Sequence, residues 1–247
     1  MTYNTTFFES TEKYRLNDVF ADDKISTQLA LFLKEYNQRE LLDKYNLPVS
    51  RKLLFFGPSG CGKTFAAQAL ASELDRKLIT VNLTSIVSAK LGQTAQNLSN
   101  LFQKAKISKS ILFLDEFDSL ATIRERDSKE SGEMRRVANA IIQLIDKLDK
   151  NILLIAATNQ LQLIDHALIR RFEHKVEFTL PTNDLLDRYY ENQLSNYPSR
   201  FQDIKRSYQI SYAEAKVKVI NEVKKMVLDE GEKINSIKNT NINEESH

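Results

Sequence analysis

The stretch "RKLLFFGPSGCGKTFAAQAL", residues 51–70, limits the possible folds more than any other part of the chain. Four apolar residues, 53–56, read as a buried strand. A glycine-rich turn follows, Gly57, Pro58, Ser59, Gly60, Cys61, Gly62, Lys63 and Thr64, which matches G-x-x-x-x-G-K-T. A helical pattern begins at once after it. Strand, glycine turn and helix in that order are the setting of a phosphate loop. Its glycines let backbone N–H groups curl around an anion, and the helix start adds a partial positive charge.

Further apolar runs recur down the chain: "LITVN" (78–82), "ILFLD" (111–115), "ILLIAAT" (152–158) and "KVEFT" (175–179). Most lack polar alternation, as strands covered on both faces do. Crossover helices fit at about 63–74, 95–106 and 133–148. In the last, Val137, Ile141, Leu144, Ile145 and Leu148 recur at helical spacing. The expected fold class is α/β, a doubly wound parallel five-stranded P-loop sheet. A helix over about 22–44, with Ile25, Leu29, Phe32 and Tyr36 on one face, precedes it.

After Pro181 the strand-like runs stop. "SYAE" (211–214) is a capping box, and Val219, Ile220, Val223, Met226 and Val227 stripe the helix that follows. The expected division is a short N-terminal segment 1–20, an α/β domain 21–181, a small helical subdomain 182–231 and a polar, disordered tail 232–247.

The chain's 247 residues, 42% of them hydrophobic, suffice for such a domain and appendage. A net charge of +2 excludes a strongly basic coat. The lone Cys61 excludes a disulfide framework. The N-terminus has no signal-peptide pattern, and no apolar run reaches the length of a membrane span. A cytoplasmic protein is expected.

Candidate chemistry clusters at the carboxyl ends of the strands, where ligands of open α/β sheets gather. Lys63 would reach the β- and γ-phosphates of ATP, and the Thr64 hydroxyl would hold Mg²⁺. "ILFLDEFDSL" (111–120) places Asp115 at a strand end as a second Mg²⁺ ligand, with Glu116 as base for the attacking water. "AATN" (156–159) brings Asn159, a neutral donor and acceptor, to position that water. The alternatives are an acidic loop that merely ends a strand and an ordinary turn asparagine. His166, His174 and His247 show no metal-ligand spacing with Cys61, and no H-E-x-x-H occurs.

With these motifs the chain resembles the AAA+ ATPases of the AAA type. "RKLLFFGPSGCGKT", "ILFLDEFDSL", "LLIAATN" and "DHALIRRFEHKVEF" stand in that family's order as Walker A, Walker B, sensor 1 and an arginine pair. The resemblance runs from about Leu16 to Val227. It implies that the helical subdomain is a lid, and that hexamers hold ATP between subunits. It also implies that Arg170 and Arg171 are arginine fingers meeting a neighbour's γ-phosphate. An intrachain salt bridge with Glu173, Asp165 or a lid acid is the alternative for the two arginines.

The family's pore-loop aromatic is replaced by Lys90, followed by Leu91 and Gly92. A lysine cannot grip a polypeptide by ring stacking, so the pore would favour an anionic chain or none; Lys90 as a solvated loop tip is the bland reading. A charged segment, 121–133, would also face the pore. The expected activity is Mg²⁺-dependent ATP hydrolysis by a homo-oligomer that remodels a protein substrate. The alternatives are an ATP-dependent switch that activates a separate protease or nuclease, and a nucleic-acid-associated loader, which the net charge does not urge.

Overall fold

The computed structural model describes residues 7–10, 13–83, 94–119 and 131–244. The chain divides into two compact units, Met1–Thr179 and Leu180–His247.

The first unit is an α/β layer structure. Its strands are β1 (Phe7–Ser10), β2 (Lys52–Phe56), β3 (Leu78–Asn82), β4 (Ile111–Asp115), β5 (Leu153–Thr158) and β6 (His174–Glu177). They form one sheet in the order β1-β3-β4-β5-β2-β6. The pairings β3–β4, β4–β5, β5–β2 and β2–β6 are parallel, which gives the five expected parallel strands. A sixth strand, β1, runs antiparallel along β3, with Phe7 opposite Val81. The sequence reading left this segment outside the fold, because four residues are too few to show a period. Behind β1 the chain is tied to the end of a helix: Tyr14 N donates to Ser72 Oγ, and Leu16 N to Glu73 Oε1.

The helices of this unit are α1 (Asp23–Asn37), α2 (Arg39–Lys44), α3 (Lys63–Glu73), α4 (Thr94–Ser108), α5 (Ser131–Asp146) and the short α6 (His166–Ile169). Asp22 caps α1 by accepting from Ile25 N at 2.8 Å. The α1 face with Ile25, Leu29, Phe32 and Tyr36 is buried.

Alternate residues of each strand feed two separate cores, as the period of two requires. Leu54, Leu112, Leu114, Leu154 and Ala156 face the core that includes Leu98 and Phe102 of α4 and Ile141 and Ile145 of α5. Leu53, Phe55, Ile111, Phe113, Leu153, Ile155 and Ala157 face the other, with α1 and α3. Strands β2, β3, β4 and β5 are therefore mostly buried on both faces, whereas the edge strand β6 buries only Val176. Each fully buried Leu or Phe contributes about 1.5–3 kcal/mol.

The second unit is helical: α7 (Asn183–Leu194) and α8 (Tyr212–Glu244). The capping box is formed. Ser211 N donates to Glu214 Oε2 at 2.7 Å, and Glu214 N to Ser211 Oγ at 3.3 Å. Val219 and Val223 are buried on the expected stripe, whereas Val227 is exposed. The α8 backbone continues through 232–244, the region whose polar composition suggested a disordered tail. Once a capped helix is nucleated, each further turn adds hydrogen bonds at low cost, and scattered Asn residues weaken but do not stop it. Among the described residues no helix is long and apolar enough to cross a membrane.

Candidate nucleotide-binding site

The glycine turn leaves β2 at its carboxyl end. Gly57 N donates to Thr158 O at 3.3 Å, which holds the turn against the end of β5. At φ 131° Gly57 is in a region closed to other residues, and a Cβ there would lie 1.8 Å from Phe178 O. The turn can approach β6 this closely only with glycine at 57. Gly62, at φ 99°, is the N-cap of α3, and the next residue, Lys63, opens the helix. Cys61 is buried, with its Sγ 3.7 Å from Ser59 O.

Lys63 is only 7% exposed, unusual for a lysine. Its ammonium donates to Gly57 O (2.7 Å), Pro58 O (2.8 Å) and Asn159 Oδ1 (2.7 Å). An ammonium has three donors, so all three are engaged. Burial lowers the Lys63 pKa from its ordinary value, and Cys61, Asp115 and Asp118 oppose the shift. Asn159, at the end of β5, thus meets the lysine of the glycine turn, although 96 residues separate them.

Asp115 ends β4 beside this group. Its Oδ1 accepts from Glu116 N at 2.9 Å. Burial raises its pKa, the Glu116 N–H opposes this, and the negative charge of Glu116 adds to it. Glu116 itself sits at φ 54°, the left-handed region that non-glycine residues seldom enter. The neighbouring bonds hold it there: Phe117 N donates to Ala157 O at 2.8 Å, and Ser119 N to Glu116 O at 2.9 Å. Phe117 is fully buried, edge-on to Phe172 at 5.5 Å. Strain of this kind clusters at functional sites.

The structure thus brings together Lys63, Asn159, Asp115 and Glu116, with Thr64 in the first turn of α3. Asp118 is a further member that the sequence reading did not single out. It accepts from Thr158 Oγ1 at 2.6 Å and so links the turn after β4 to the end of β5. The second aspartate of "DEFD" was the available signal.

The two arginines differ. Arg171 Nε and Nη2 donate to the two oxygens of Asp146 at 2.5 and 3.0 Å, and Nη1 donates to Ala167 O at 2.5 Å. Asp146, at the end of α5, was not among the expected partners; 25 residues of separation give no local signal. Glu173, which was, instead accepts from Arg51 N and Lys52 N and pairs with Lys52 Nζ at 3.1 Å. Asp165 caps α6 through Ala167 N. Arg170 is exposed, and among the described residues its guanidinium has no hydrogen-bond or ion-pair partner. Lys90, Leu91 and most of the charged segment 121–133 lie outside the described residues.

The chain is similar to several known proteins. A chain from Sinorhizobium fredii described as an uncharacterized AAA family ATPase, y4kL, is 34% identical over 88% of this chain and 66% of its own length. A putative 26S proteasome regulatory subunit homolog of Methanothermobacter thermautotrophicus is 30% identical over 75% of this chain and 50% of its own. The chain thus spans 66% and 50% of these relatives' lengths. The crystal structure of the FIGL-1 AAA domain in complex with ADP superposes with a TM-score of 0.75, covering 94% of this chain and 80% of that one at 22% identity, and so shares the fold. The model of the ATPase family associated with various cellular activities matches residues 53–180. That match takes in more than half of the chain, and the chain belongs to the AAA family of ATPases.

Proposed function

We propose that the chain binds ATP at Gly57–Thr64 and hydrolyses it in a cytoplasmic homo-oligomeric ring, driving the remodelling of a protein substrate. The observation that carries this reading is the Lys63 ammonium, buried and shared between the glycine turn and Asn159 beside Asp115. Because its three donors are all engaged, a phosphate oxygen can reach it only by displacing an acceptor. Asn159 lies on a different strand end from the turn and is the acceptor most easily released. Phosphate binding would free its amide to hold the attacking water, which couples occupancy to catalysis. Glu116 takes the proton of that water. The oxygen donors Thr64 and Asp115 suit a hard cation, so they would hold Mg²⁺, which supplies charge neutralisation at the phosphates.

Arg170 is the finger we assign to a neighbouring subunit's γ-phosphate, since it is exposed and without a partner among the described residues. Arg171 fixes the turn through Asp146. Lys90 and Leu91 remain the pore residues by family resemblance. A second reading, an ATP-dependent partner of a separate protease, has support from the relative described as a putative 26S proteasome regulatory subunit homolog.

The test mixes two variants. Glu116→Gln keeps its finger and Arg170→Ala keeps its base. Arg170→Ala alone should lower kcat by about 10³–10⁵, and Arg171→Ala by less. Mixed rings should regain activity, because some interfaces join an intact Glu116 to an intact Arg170. Inactive mixtures shown to co-assemble would remove the assignment in trans.

A further inference from the structure

At the other end of the sheet, where β3, β4 and β5 begin, lies a cavity of about 640 Å³. Arg39, Arg76, Lys77, Lys109 and Lys150 line it, and Asp75 is its one carboxylate. Among the described residues none of the five cations has a salt-bridge partner.

Arg76, half-buried, is the informative member. Its Nε donates to Lys109 O, its Nη1 to Tyr36 Oη, and its Nη2 to Asn151 O and, at 3.2 Å, to Ser110 O. Four of the five N–H groups a guanidinium carries are thereby used. Every acceptor is neutral. Most of its hydrogen bonds are made and its charge is not met, and an arginine half withdrawn from water ordinarily has an anion to meet. Burial lowers its pKa, the Tyr36 hydroxyl opposes this, and the like charge of Arg39 adds to it. The Tyr36 ring, 5.3 Å from the Arg39 guanidinium and 5.8 Å from that of Arg76, offsets part of the charge.

Two structural explanations can be weighed. The first is that surface lysines are simply solvated. That fits a convex surface, but not five cations around one concavity that includes a half-buried guanidinium held by four hydrogen bonds. The second is that the cations answer helix dipoles, since α1, α3 and α4 all end here. Each helix end supplies about −0.5 charge. Three ends and Asp75 then neutralise about half of the five positive charges. The excess remains.

We propose that this cavity binds a compact anion carrying several phosphate groups, free in solution, at a site separate from the nucleotide loop. A five-residue strand puts the two roughly 16 Å apart. The volume falls within the range of small-molecule sites, about 300–1,000 Å³. A duplex would instead need a basic stripe along the surface, and a net charge of +2 does not call for one. Two guanidinium groups offer planar forks to phosphate oxygens, and the lysines offer mobile point charges.

The test titrates inorganic tripolyphosphate by calorimetry into the full chain holding saturating ADP, at physiological salt. Saturable one-site binding is expected. It should weaken about tenfold or more in Lys109→Glu/Lys150→Glu, two exposed positions whose melting temperature serves as the folding control. Milder Lys109→Gln/Lys150→Gln should show an intermediate loss, and covers the case in which charge reversal disturbs folding. Absence of saturable binding overturns the proposal. So does binding that survives both double variants, or that disappears in Lys63→Ala instead, because the anion then sits in the nucleotide loop. A short glutamate peptide or single-stranded DNA binding about tenfold more tightly than tripolyphosphate would also overturn it, and would make the cavity a macromolecular contact.

Discussion

At the carboxyl ends of the parallel strands, Lys63 lies within the influence of Asp115 and Asp118, and its hydrogens go to the glycine turn and Asn159. At the amino ends, Arg76 lies among Arg39, Lys77, Lys109 and Lys150, and its hydrogens go to carbonyls and a phenol. Lys63 is buried and Arg76 half-buried against the same sheet. The first has carboxylates near it; the second has mostly like charges, with Asp75 as the one acid among the described lining residues. Opposite signs side by side can move a proton and polarise a bond. A strong excess of one sign attracts and holds. The difference teaches that burial of a cation does not by itself mark a reaction centre; the sign and reach of its neighbours do.

The comparison breaks most easily at Lys63. Two phosphate contacts to an ammonium amount to roughly 3–6 kcal/mol, so Lys63→Ala should weaken ATP binding about 10²–10⁴-fold. Equilibrium binding of a fluorescent ATP analogue reads this directly. An affinity within about threefold of the parent would mean that the lysine serves the turn and not the ligand.

Arg76→Leu should act the other way, on stability before ligand. It strips donors from three carbonyls and from Tyr36 Oη. Unsatisfied buried groups cost about 1–3 kcal/mol each, and water will reach some of them, so a loss of about 2–5 kcal/mol is expected in urea unfolding without nucleotide. An unchanged urea midpoint would show that water satisfies those carbonyls and that Arg76 is not structural.

The smallest effect sharpens the contrast with a cation that does have its carboxylate. The Arg171–Asp146 pair is partly exposed, 29% and 44%. Solvent screening keeps such a pair weak, so Asp146→Asn should shift the unfolding midpoint only slightly at neutral pH. The hydrogen bond from Arg171 holds the Asp146 carboxyl below its ordinary value. The pair's contribution is therefore complete above an ordinary aspartate pKa of about 3.9, and is lost as pH falls through the depressed folded value. Parent and variant should converge only in acid. A difference between them that changes from pH 6 to pH 8 would point to another group.

Much of this was readable beforehand, for definable reasons. The central parallel strands announced themselves because burial on both faces removes polar alternation, as in "ILFLD" and "LLIAAT". The glycine turn was readable because Gly57 has no substitute where a Cβ would meet Phe178 O. What stayed hidden depends on distance in sequence. Asp146 reaches Arg171 across 25 residues, and Tyr36 reaches Arg76 across 40. β1 is short and borrows its register from β3. The cavity at the amino ends joins cations from turns that no single window of sequence contains.

Glu116 carries a last consequence. At φ 54° a glutamate is held about 1–3 kcal/mol above a relaxed backbone, and glycine would sit there at ease, even after allowing for about 0.4–1 kcal/mol of extra freedom in its unfolded chain. A laboratory lineage rewarded for surviving heat alone would therefore drift toward glycine or asparagine at this codon. On the role proposed for Glu116, each generation would grow hardier and lose ATP hydrolysis. On that reading, keeping glutamate there is a standing preference for turnover over endurance.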